Sequence, residues 1–116
     1  MTFSRHPLPL IAQRLKEKRK QSGLTQMELG VRAGIDESSA SARINQYERG
    51  KHTPDFLTIV NLARVLNVDA AYFYAKDEEL AGFIDSYSKL KPEDRKVVLE
   101  LLYFLANYRE EPPPHR

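Results

Sequence analysis

The chain has 116 residues, 41% of them apolar, which suits one small domain with an appendage. It holds no cysteine, which excludes disulfides and thiolate metal sites, and His6, His52 and His115 are too widely spaced to suggest metal ligands. The net charge of +2 conceals an asymmetry, because residues 1–53 carry ten Lys and Arg against five Asp and Glu, whereas residues 54–116 carry eight against eleven; a basic half suggests that one end meets a polyanion.

Strand signals are nearly absent, and helical ones dominate. Residues 1–9, with His6-Pro7-Leu8-Pro9, read as a flexible leader. Leu10 to Gln21 reads as a first helix with Leu10, Ile11 and Leu15 on one side, basic residues near its end, and Gly23 closing it. Thr25 caps a second helix, and Glu28 three residues on completes a capping box. That helix carries Met27, Leu29 and Ala33 and breaks at Gly34. A third helix starts after Asp36 and ends near Glu48, before Arg49-Gly50. Thr53-Pro54-Asp55 predicts a fourth, with Thr53 as cap, proline at the first helical position and an acid in the first turn. Its apolar side is expected to hold Phe56, Ile59, Leu62, Ala63 and Leu66. Asp69 caps a short fifth helix carrying Ala70, Tyr72 and Phe73.

Beyond Lys76 the pattern changes. Glu78 to Lys89 is a weaker amphipathic helix with Leu80, Phe83, Ile84 and Tyr87, and Pro92-Glu93-Asp94 opens a helix running to about Tyr108. Glu110-Glu111 and three prolines end it, and residues 110–116 read as a disordered tail. Val97, Val98, Leu101, Leu102, Phe104, Leu105 and Tyr108 leave this last helix little polar surface, so it must cover the domain itself or a second copy. Large exposed apolar patches are rare on monomers, which favours a homodimer with Val98, Leu101, Leu102, Leu105 and Tyr108 at the interface. Tyr87, Tyr103 and Tyr108 read as core or interface residues before ligand-pocket ones.

The informative stretch is Thr25-Gln26-Met27-Glu28-Leu29-Gly30-Val31-Arg32-Ala33-Gly34-Ile35, followed by Ile44-Asn45-Gln46-Tyr47-Glu48-Arg49-Gly50 and Thr53-Pro54. It resembles the Xre-type helix-turn-helix regulators, the family of phage repressor and Cro proteins, over Leu10 to about Tyr74. The resemblance implies an all-α fold, a five-helix lambda-repressor-like DNA-binding domain (residues 10–76); the two helices beyond it read as a C-terminal dimerisation extension (residues 77–109). It also implies sequence-specific operator binding, usually as a dimer, with the third helix in the major groove.

Such a reading helix needs an apolar back and a short polar front. At 100° per residue Ala40, Ile44 and Tyr47 share one face, while Ser38, Ser41, Ala42, Asn45, Gln46 and Arg49 share the other, with Arg43 on the flank. Ser38, Ser41, Ala42, Arg43, Asn45 and Gln46 are therefore the candidate base-contacting residues. The resemblance implies about ten residues between the turn glycine and the later glutamate, whereas Gly34 to Glu48 spans fourteen, a surplus near one 3.6-residue turn. Either the reading helix is longer at its N-terminus, or Glu37 to Ala40 lengthen the loop. Ser41, Ala42 and Asn45 face the groove in both registers, whereas Arg43 and Gln46 depend on the shorter alignment. Phosphate contacts are expected from Thr25, Gln26, Arg49 and Lys51, with Lys20 and His52 able to line the same backbone. Lys16, Lys18 and Lys20 read equally well as a solvated cluster. Arg19 and Glu48 align with an arginine–glutamate pair that resembling repressors bury between the first and third helices.

A regulator of transcription, most simply a repressor, is the first reading of function, with a double-stranded DNA operator as partner. The alternative is an antitoxin-type autoregulator whose C-terminal helices hold a protein partner. A pure interaction module fits the polar front of the third helix less well. No phosphate loop, nucleophile–histidine arrangement or paired carboxylates point to an enzyme, and no metal or cofactor is expected. The N-terminus lacks an apolar signal core and no run approaches the ~20 apolar residues of a membrane span, so a cytoplasmic location is expected.

Overall fold

The computed structural model describes residues 8–108 and contains six α-helices and a 3-10 turn, with no strand among the described residues. The leader expected over residues 1–9 lies outside this range except for Leu8 and Pro9, and the tail expected over residues 110–116 lies wholly outside it.

Helix α1 (Leu10–Gln21) leads to α2 (Gln26–Arg32), which opens on the complete capping box: the Thr25 hydroxyl accepts the Glu28 amide at 3.0 Å, and Glu28 Oε1 accepts the Thr25 amide at 2.9 Å. Gly34, at φ 96°, turns the chain out of α2 while the Ile35 amide donates back to the Gly30 carbonyl at 2.9 Å. This left-handed cap satisfies the last carbonyls of α2 within three residues, and α1 and α3 end the same way at Gly23 and Gly50. Helix α3 spans Glu37–Glu48 with Asp36 as its cap, accepting the Ser38 amide at 3.1 Å. Glu37 to Ala40 are thus helical, and the surplus residues lengthen the helix rather than the turn.

Helix α4 (Phe56–Leu66) begins later than the sequence predicts. Its cap is Asp55, whose Oδ1 accepts the Thr58 amide at 2.8 Å, and Thr53 and Pro54 belong to the loop before it. An aspartate carboxylate is the better acceptor for orphan helix amides than a threonine hydroxyl, so it takes the cap two residues on. Phe56, expected on the apolar side, is instead 65% exposed and leans on Tyr74 with ring centroids 6.2 Å apart. The later start puts it in the first turn, away from the core-facing row Ile59, Leu62, Ala63 and Leu66. Those four join Leu15, Leu29, Ala33, Ile44, Tyr47, Val68 and Phe73 in the core. The fifth helix is a single 3-10 turn, Ala70–Phe73, capped by Asp69.

Helix α5 (Glu78–Ser88) packs on the 3-10 turn and buries Ala81, while Leu80 and Phe83 stay half exposed. Two residues of α1 fasten it. Arg14, 2% exposed, donates to the carbonyls of Tyr72 (2.6 Å) and Ala75 and pairs with Glu78 at 3.2 Å. Lys18 pairs with Asp85 at 2.7 Å and lies over the Tyr72 ring. Helix α6 (Pro92–Tyr108) departs at the next turn, where Arg95 donates to the carbonyls of Tyr87 and Ser88. It does not pack along α5 and buries none of its residues, and the molecule extends 65 × 47 × 22 Å.

Candidate nucleic-acid interface

Helices α2 and α3 form the closest-packed pair of elements because both are small where they cross. A Cβ on Gly30 would lie 2.8 Å from the Ala40 Cβ and 3.1 Å from its backbone, so only glycine permits this approach. The contact sets how far α3 stands out from the domain. Sequence reasoning did not single out Gly30, although a glycine inside a short helix is itself a sign of close packing.

Seated this way, α3 buries Ala40, Ile44, Tyr47 and Glu48 and exposes its front. Ser41, Ala42 and Arg43 are exposed, and Asn45 and Gln46 are half-buried. Ser38 is exposed, but its hydroxyl donates to the Asp36 carboxylate and so belongs to the helix cap. Among the cations, Lys16, Lys20, Arg49 and Lys51 are exposed, whereas Lys18 is committed to Asp85.

Behind the front lies a polar network. Glu48, 3% exposed, accepts from Arg19 Nε at 2.6 Å and from a second guanidinium nitrogen at 3.0 Å, while a third donates to the Leu24 carbonyl at 2.9 Å. The hydrogen bond to Glu48 raises the Arg19 pKa above its ordinary value, overcoming the opposite effect of burial. Gln26 closes the network: its Nε2 lies 3.1 Å from Glu48 Oε1 and 3.2 Å from Asn45 Oδ1. The network thus joins residues assigned from sequence to three separate roles, and this coupling was not foreseen. It depends on side-chain torsions that no spacing rule specifies.

A helix-turn-helix family model matches residues 15–73. Among curated relatives, the uncharacterised HTH-type transcriptional regulator YqaE of Bacillus subtilis (strain 168) is 30% identical over 81 residues, which cover 70% of this chain and 66% of that protein. The HTH-type transcriptional regulator ImmR of the same organism is 35% identical over 68 residues, covering 59% of this chain and 50% of its own. The chain therefore spans between half and two thirds of the curated relatives it matches. Among solved structures, the transcriptional regulator BswR superposes with a TM-score of 0.78 at 42% identity, over 85% of this chain and 98% of that one. The SinR protein/SinI protein complex shares the fold, with a TM-score of 0.58 at 22% identity, over 83% and 97% of the two chains. With over half its length matched by the family model and the turn, caps and α2–α3 crossing in place, this chain belongs to the helix-turn-helix family.

Proposed function

We propose that the protein is a sequence-specific DNA-binding transcriptional regulator that reads an operator through α3 and represses by occupying it. The observation that carries this is the division of α3 into a buried apolar back and a front of exposed Ser41 and Ala42 with half-buried Asn45, the residues that face the groove in the lengthened helix. A short hydroxyl and an amide suit base edges, and the Ala42 methyl suits a thymine methyl. Thr25, Arg49 and Lys51 hold the flanking phosphates; the Thr25 oxygen accepts within the cap, which leaves its O–H free to donate. The relatives' names favour a regulator over an antitoxin or an enzyme. No helix of the described residues is long and apolar enough to cross a membrane, and we place the protein in the cytoplasm with the DNA.

The regulator acts as a homodimer through α6, where Leu101, Leu102 and Leu105 are each more than half exposed, Tyr108 is 69% exposed and Val98 lies beside them. Contiguous apolar surface of this kind is what a second copy covers. Selection of bound DNA from a random pool tests the reading. A repeated half-site, with Ser41→Ala and Asn45→Ala each weakening operator binding more than random-DNA binding, is expected. Equal binding to all sequences by the wild-type protein would overturn it.

A further inference from the structure

We propose that Gln26 sets base specificity by orienting Asn45 as a hydrogen-bond donor, so that Asn45 selects a guanine. This rests on α3 being the reading helix. The argument starts at Glu48, a buried carboxylate whose two oxygens are both held by Arg19. A carboxylate only accepts, so the end of the Gln26 amide 3.1 Å from it is the nitrogen, and the reverse orientation would set two oxygens against each other. The same nitrogen is 3.2 Å from Asn45 Oδ1. Both Gln26 side-chain N–H groups are thereby used, and none is left for a phosphate, which is itself only an acceptor.

The consequence falls on Asn45. Its oxygen is turned toward α2, and its Nδ2, with two N–H groups, is the end left for the groove. An asparagine with both ends free pairs with adenine, accepting from N6 and donating to N7. One that offers donors alone matches guanine, whose N7 and O6 are adjacent acceptors. Glu48 thus acts on the DNA at one remove, by fixing Gln26, which fixes Asn45. Gln26 is a positioning residue in this account, and Asn45 makes the contact.

The test uses the full chain and random-pool selection with wild type, Asn45→Ala, Gln26→Met and Asn45→Asp. Wild type should enrich a guanine at a position that Asn45→Ala relaxes. Gln26→Met, of similar length and without hydrogen bonds, should shift that position toward adenine by roughly tenfold and leave the others unchanged. Asn45→Asp keeps an acceptor for Gln26 but presents no donor, and should exchange the guanine for a cytosine, whose N4 donates. The wild-type arm, guanine against adenine at the Asn45-dependent position, decides the matter even if Gln26→Met does not fold. A uniform loss across all sequences in a folded Gln26→Met protein, or an Asn45-dependent position that selects adenine in the wild type, would overturn the relay while leaving α3 as the reader. No enriched sequence with the wild type would overturn the reading of α3 itself, and the relay with it.

Discussion

Arg19 and Glu48 face each other with side chains 13% and 2% exposed, so Glu48 cannot readily return to water if Arg19 is removed. Arg19→Met should therefore destabilise the fold by about 3–5 kcal/mol, the cost of an uncompensated buried charge. A thermal melt checks this, and an unchanged midpoint would show that Glu48 is rehydrated in place. Gly30→Ala should cost roughly 1–3 kcal/mol by overpacking against Ala40, and Ala40→Gly in the same chain should recover part of it. Urea titration of the two variants measures both effects. At this scale the sequence was only partly readable. The 100° period placed Ala40, Ile44 and Tyr47 on the inner face of α3, because burial on a helix follows its period. Arg14 gave no such sign. Its burial depends on the Tyr72 and Ala75 carbonyls, about sixty residues away, and an arginine in a helix that also carries Lys16, Lys18, Arg19 and Lys20 looks like one more solvated charge.

Among elements, the helix ends were the most legible feature, since a cap is a local contract between a side chain and amides two or three residues on. Thr25 with Glu28, Asp36 and Asp69 all cap where the sequence places them; α4 shows the limit, because Thr53 and Asp55 both qualify and only geometry selects Asp55. Thr25→Ala should cost about 1 kcal/mol, read as a lowered melting temperature, because it opens the capping box. These caps also set the response to acid. Hydrogen bonds from Thr25, Ser38 and Thr58 hold the carboxyls of Glu28, Asp36 and Asp55 below their ordinary pKa values. Groups depressed in the folded state contribute stability that is complete above their unfolded pKa, near ~4, and lost as pH falls through the folded value. The melting temperature followed by circular dichroism should thus be flat from neutral pH to about 5 and fall below about 4. A rise on acidification would contradict the cap geometry.

For the whole molecule, what matters is which parts hold together. Helix α5 is fastened to the domain by Lys18–Asp85, by Arg14 and by buried Ala81, whereas α6 leaves with nothing packed along it. We therefore expect the independent unit to include α5. Removal of everything after Leu90 should leave a folded monomer, while truncation after Ala75 should also lower stability by uncovering α1. Sedimentation of the full chain against the Leu90 truncation tests the dimer: a full-length monomer at micromolar concentration would exclude α6 as the dimer contact. The truncated monomer should lose most operator affinity, since two half-sites about 34 Å apart then bind without linkage.

The added turn of α3 has a consequence for the pose it can take on a duplex. At twelve residues the helix is about 18 Å long, more than the roughly 12 Å width of the major groove. Its leading tip carries two carboxylates, Asp36 and Glu37, both exposed. If α3 reads the groove as proposed, its negative point disfavours end-on entry between two rows of phosphates and favours a broadside pose, with Ser41 to Asn45 at mid-span and the tip clear of either strand. Glu37→Gln should then bind DNA more tightly at low salt and lose that advantage as salt rises. If the substitution weakens binding instead, the tip is making a contact and the helix enters point first.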